Sequence, residues 1–243
     1  MLISCVGDCA RLSCSGGSFA KMGAKRTDMK TLIVFNHPYG GSYCNAVLAS
    51  AEKGLKDSAQ PYRVINLDRD DFDPVMRAKD LIAFAGAGRI GEEALETVDE
   101  QVMEYKEHLE WAEHLVMIFP IWWMTAPAMT KGFIDKVIFP AIAYDRDKGR
   151  LVSRLAIRKV TIITTMNTPA DIYKEMFNNS IEGSLIKGTF RQIGIEDVRW
   201  ISLNGVKQAT QDQRTEWLKD IYEYFLGRRS NMAHKAKKPM MNG

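Results

Sequence analysis

Apolar residues fall along the chain in two kinds of run. Five short, nearly unbroken stretches predict strands: Lys30–Phe35 (KTLIVF), Tyr62–Leu67 (YRVINL), His114–Phe119 (HLVMIF), Lys159–Thr165 (KVTIITT) and Val198–Leu203 (VRWISL). Longer stretches repeat every three or four residues and predict helices. Val47, Leu48, Ala51 and Leu55 share one face of a helix over 46–56. Leu95, Val98, Val102, Tyr105 and Leu109 predict one long helix over 92–111. Pro127 suits the first turn of a helix over 127–139. A helix ending over Thr189–Ile193 separates the last two strands, and an amphipathic helix over Asp212–Leu226 follows them.

Strands alternate with helices, and the strands are continuous apolar runs, which indicates a parallel sheet covered on both faces. Five such strands suit an α/β, doubly wound sheet of flavodoxin-like order 2-1-3-4-5. Residues 140–158 interrupt the rhythm, and their Asp-Lys-Gly centre suggests a hairpin or loop excursion. Gly86-Ala-Gly88-Arg-Ile-Gly91 fits the spacing of a dinucleotide-binding glycine motif. Glu92 and Glu93 would occupy the helical turn that must receive the phosphates and would repel them, so the stretch reads as a connector.

The 243 residues suffice for a large core, and no run of about 18 apolar residues marks a membrane span. The net charge of +3 is unevenly placed: residues 1–28 carry +2 and residues 228–243 carry +5, leaving −4 on the body. The basic end is therefore read as a solvated, disordered tail, and nucleic-acid binding gains no support from residues 29–227. Residues 1–28, rich in Gly, Ser, Ala and Cys without periodicity, read as a poorly ordered extension; Met29, just before the first strand, offers an alternative start. Cys5, Cys9 and Cys14 lack zinc spacing, and no leader peptide is visible, so reduced thiols in a cytoplasm and no metal are expected.

In a doubly wound sheet, ligands sit beyond the carboxyl ends of the strands where the winding reverses. That rule selects the loops after the first, third and fourth strands. Asn36–Asn45 (NHPYGGSYCN) offers paired glycines, Ser42 and a helix start, a combination able to hold a phosphate or to serve as a plain turn and cap. Pro120–Pro127 (PIWWMTAP) holds two adjacent tryptophans that cannot both face inward, and so suits a flat aromatic ligand or a hydrophobic plug. Thr164–Pro169 adds polar groups, with Tyr173 beyond.

The stretches LIVFNHPYGGSYCNAVL, LDRDDFDPVM, HLVMIFPIWWMTAPAMTKGFIDKVI, AYDRDKGRL and KVTIITT resemble the flavodoxin-fold NAD(P)H:quinone oxidoreductases, a family that includes bacterial drug-activity modulators and potassium-efflux ancillary flavoproteins. The resemblance implies FAD, with FMN as the alternative, and NAD(P)H as co-substrate. It assigns His37, Ser42, Tyr43 and Cys44 to the flavin phosphate and ribityl chain. Pro120, Ile121, Trp122, Trp123 and Met124 would edge the isoalloxazine, and Thr164, Thr165 and Asn167 would meet its pyrimidine side. Tyr173 would stand near the substrate as the catalytic tyrosine, and Tyr144 would reach the pocket of a second subunit in a homodimer. The implied activity is two-electron, ping-pong hydride transfer from NAD(P)H through flavin N5 to a quinone or similar planar acceptor. A regulatory partner of a potassium-efflux system and a one-electron flavodoxin-type carrier are the alternatives. Two departures stand out: Met166-Asn167 replaces a Gly-Gly pair, and Asn178-Asn179 stands where a histidine is expected.

Overall fold

A computed structural model describes residues 29–228, so the N-terminal extension and all but the first residue of the basic tail lie outside the described residues. Five strands form a parallel sheet in the order β2-β1-β3-β6-β7: β1 (Thr31–Phe35), β2 (Tyr62–Asn66), β3 (His114–Pro120), β6 (Lys159–Thr165) and β7 (Asp197–Leu203). Omitting a separate antiparallel hairpin, β4 (Tyr144–Asp147) with β5 (Arg150–Ser153), this is the expected order 2-1-3-4-5. The hairpin fills the predicted excursion and turns on Lys148 and Gly149, both at positive φ.

β1 and β3 are buried along their whole length because apolar layers cover both faces. Ile33 and Phe35 face a cluster built with α1 (Tyr43–Asp57) and α6 (Gln211–Phe225). Leu32 and Val34 face the larger cluster under α3 (Glu100–Trp111) and α4 (Ala128–Val137). Each fully buried Leu, Ile or Val side chain contributes about 1.5–3 kcal/mol relative to exposure. Two glycines permit close approaches. A Cβ on Gly54 would lie 2.5 Å from the Tyr222 carbonyl oxygen, where α1 meets α6. One on Gly132 would lie 2.3 Å from Pro74 Cβ, where the acidic 68–74 loop crosses α4.

Two helix expectations are corrected. The stretch read as a connector forms α2 (Ala78–Ile90), and its glycine motif lies within and just after that helix rather than between a strand and a helix. Leu81, Ile82, Phe84 and Ile90 are exposed on it, so its apolar residues do not repeat as a buried stripe. The long helix over 92–111 is broken into a 3₁₀ segment (Gly91–Thr97) and α3. The break falls at Asp99, whose carboxylate accepts from the buried Lys136 Nζ at 2.7 Å and from Lys79 at 2.5 Å. Those two hydrogen bonds, the Lys136 one first, hold the Asp99 carboxyl below its usual range. Lys136 also donates to the Asp73 carbonyl at 3.1 Å, which offsets the cost of burying its charge. Between β6 and β7 run α5 (Ala170–Phe177) and a π-helical segment (Glu182–Arg191), which ends inside the expected range.

Candidate functional site

The carboxyl ends of β1, β3 and β6 lie side by side, with Phe35 opposite Ile118 and Pro120 opposite Thr165. The winding reverses between β1 and β3, so the loops after them flank the point where open α/β sheets bind ligands.

The first loop leads into α1. Ser42 is its N-cap and accepts from the Asn45 amide at 3.3 Å; Asn45 Nδ2 returns to Ser42 Oγ and to the Tyr39 carbonyl, both at 2.9 Å. The amides of Tyr43 and Cys44 precede the first internal bond of the helix and point outward with the positive end of its dipole. His37 Nδ1 accepts from the Tyr39 amide at 3.1 Å, which leaves the proton on Nε2. Burial lowers the His37 pKa, an effect Asp68 partly offsets, so the imidazole is a neutral donor near pH 7.

An open depression of about 450 Å³ lies against this helix start, and Ser42, Tyr43, Asn167, Lys207 and Arg214 line it. The Tyr43 hydroxyl donates to the Arg214 carbonyl at 2.7 Å, tying the first turn of α6 to α1 and bringing that cation to the depression. Burial pushes this hydroxyl's pKa up to about 12, with Arg214 partly opposing. Sequence reasoning missed Lys207 and Arg214 because neither the 204–210 loop nor the start of α6 carries a recognisable motif. Two cations shortly after a strand end, on the third strand in line from the reversal, were the available signal.

The loop after β3 makes a two-residue turn. Trp122 and Thr125 exchange backbone hydrogen bonds of 3.0 and 3.1 Å, leaving Trp123 (φ 47°) and Met124 (φ 62°) in the left-handed region. That backbone favours Asn and Gly, and bulky residues held there cost about 1–3 kcal/mol each. Both tryptophans are exposed, Trp123 at 96%. The Trp122 ring meets the His37 ring edge-on at 6.1 Å, joining the first two loops. Pro120 and Ile121 are buried beneath the turn.

Other expected site residues turn inward. Cys44 is buried, its Sγ 3.0 Å from Thr165 Oγ1, and burial pushes its thiol up to about 11. Thr164 Oγ1 accepts from Trp200 Nε1 at 2.9 Å. The side chains of Cys44, Thr164 and Thr165 are therefore engaged within the fold, and the Thr165 carbonyl accepts from the Ile121 amide at 2.8 Å. Asn167 is at the surface and accepts from the Lys207 amide at 3.0 Å. Tyr173 is 1% exposed, and its hydroxyl donates to the Met124 carbonyl at 2.9 Å. It faces the underside of the tryptophan turn instead of an open substrate pocket. Tyr144 stands on the hairpin, half-buried against the larger cluster.

A family model described as a flavodoxin-like fold matches residues 29–225. An uncharacterized NAD(P)H oxidoreductase of Haemophilus influenzae is 27% identical over 174 residues, which span 71% of this chain and 82% of that protein. An FMN-dependent NADH:quinone oxidoreductase of Ruegeria pomeroyi is 28% identical over 182 residues, 71% of this chain and 87% of that one. The solved structure of an NAD(P)H:quinone oxidoreductase from Methanothermobacter marburgensis has a TM-score of 0.71 at 24% identity, covering 82% of this chain and 98% of that one; at that identity the likeness is one of fold.

Proposed function

The chain belongs to the flavodoxin-like fold family, and from that premise we propose that it is a flavin-dependent NAD(P)H:quinone oxidoreductase. One observation carries the reading: at the reversal point of the sheet, a helix start with outward amides stands beside an exposed tryptophan pair. The first suits a phosphate and the second a planar ring system, and His37 links them.

The residues present fit a flavin. Ser42 and the amides of Tyr43 and Cys44 would hold its phosphate, with the neutral His37 donating from Nε2. The depression continues to Lys207 and Arg214, which gives a second phosphate and its nucleoside a place to lie and favours FAD over FMN. Trp122 and Trp123 would border the ring and the slot above it, excluding water from one side. Backbone donors at 167 and 168 would face the pyrimidine edge. When bound, the flavin supplies the hydride chemistry, accepting at N5 from NAD(P)H and returning the hydride to a quinone or similar planar acceptor in a second half-reaction. The chain's part is to position the two planar substrates in turn over one slot.

The exposed apolar face of α2, with Leu81, Ile82, Phe84 and Ile90, supports a homodimer. Sedimentation of the full chain at micromolar concentration checks this, with a two-chain species expected. Reduction of the flavin-loaded protein by NADPH without oxygen, followed by addition of menadione, tests the activity. Bleaching near 450 nm (roughly, the usual oxidised-flavin band) that returns with menadione is the expected cycle. Bound flavin that fails to cycle would instead support a regulatory or carrier role.

A further inference from the structure

The tryptophan turn is not stabilised by its own sequence, since neither Trp123 nor Met124 favours a positive φ. The Met124 carbonyl, at the second corner of the turn, is gripped by two hydroxyls from elsewhere in the fold. Tyr173 donates to it at 2.9 Å, and Ser180 forms a second, short hydrogen bond. The two hydroxyls also lie 2.8 Å from each other. Two protons serve three contacts, so the group is a closed network in which either hydroxyl can relay through the other.

The chain around Ser180 is built to deliver it there. α5 ends with Asn178 (φ 50°) and Asn179 (φ 47°), consecutive left-handed residues of the type that tolerates that conformation. The Asn179 amide donates back to the Tyr173 carbonyl at 3.1 Å, and the reversal returns Ser180 to the Tyr173 hydroxyl. The Tyr173 ring is fixed in turn by an edge contact with Trp200 at 5.9 Å, and the Trp200 indole is anchored on Thr164. The Asn-Asn-Ser sequence after Tyr173 thus has a definite mechanical task.

We infer that Ser180, acting with Tyr173, is a positioning residue: the pair pins the Met124 carbonyl, holds the Trp122–Thr125 turn in its left-handed form and so fixes Trp123 at the edge of the acceptor slot. The acceptor part rests on the oxidoreductase reading given above. The holding of the turn stands independently of it.

The experiment compares the full-length protein with Ser180→Ala and Ser180→Thr. Without flavin, hydrogen exchange is followed at the Trp122 and Thr125 amides, the two bonded across the turn. Ser180→Ala speeds their exchange by about tenfold, and Ser180→Thr, which keeps the hydroxyl, restores protection. With flavin, Ser180→Ala raises the KM for menadione about fivefold while kcat and flavin content stay near wild type. Unchanged exchange in Ser180→Ala overturns the clamp. Faster exchange with an unchanged KM overturns the positioning of the acceptor. If the wild-type protein neither binds flavin nor turns over, the oxidoreductase reading fails while the exchange data still judge the clamp. Should Ser180→Ala not fold, Tyr173→Phe removes the other hydroxyl and must speed the same two amides.

Discussion

The loops after β1 and after β3 flank the same reversal point, yet they are stabilised in opposite ways. The first is coded by its own residues: Ser42 caps α1, Asn45 closes the turn onto Tyr39, and His37 is oriented by an amide two residues away. The second has no such local code. Its left-handed turn carries Trp123 and Met124, whereas the β4–β5 hairpin makes a comparable turn with Lys148 and Gly149. The tryptophan turn depends on Tyr173 and Ser180, some fifty residues further on. A loop that binds through its backbone can be self-contained. One that must present large rings in an unfavourable conformation needs support from elsewhere in the fold.

Breaking the first loop carries the largest expected effect. Ser42→Ala removes the cap, costing about 1 kcal/mol of stability in a urea melt. It also removes a hydroxyl from the phosphate, so flavin Kd rises roughly 10- to 100-fold, in keeping with about 1.5–3 kcal/mol for a hydrogen bond to a charged group.

The opposite end of β3 sharpens the contrast, because its chemistry belongs to the scaffold. His114 is buried, bonds Thr161 Oγ1 at 2.8 Å through Nε2 and stacks on Phe225. Burial, with Lys159 adding to it, lowers its pKa to about 3. The unfolded chain takes up this proton near pH 6.5, and the native imidazole refuses it until about pH 3. Stability is therefore lost as the pH falls through that window, by about 2 kcal/mol between pH 7 and pH 5. Urea melts at the two pH values measure the loss, and the His114 imidazole resonances should stay those of the neutral ring throughout.

The smallest expected effect is the most discriminating in sign. Trp123→Gly relieves a left-handed residue and removes a ring that makes no buried contact. Stability should hold or rise by up to about 1 kcal/mol, while the KM for menadione rises about tenfold. A clear loss of stability in thermal melts would mean that the ring packs against the fold and is not reserved for a ligand.

What was legible in the sequence follows the same division. The apolar runs of β1, β3 and β6 and the glycine in the hairpin announce themselves locally, so sheet order and excursion were readable. α2 was not, because Leu81, Ile82 and Phe84 face outward and two glycines interrupt it. The break before α3 depends on a contact between Asp99 and Lys136 that spacing cannot reveal. That His37, Ser42 and the two tryptophans lie on neighbouring loops at the carboxyl edge of the sheet was readable from loop position and residue type. The inward turn of Cys44, Thr164, Thr165 and Tyr173 was not, since each is set by a partner distant in sequence.

We propose that these two loops hold one flavin between them. Titration of FAD, and separately FMN, into the full-length protein, followed by quenching of flavin fluorescence, tests it most directly. One flavin per chain is expected, with binding weakened at least about tenfold by Ser42→Ala and by less, about twofold, in Ser180→Ala, where the tryptophan turn is loosened. No binding of either flavin, or equal affinity in wild type and Ser42→Ala, would contradict it.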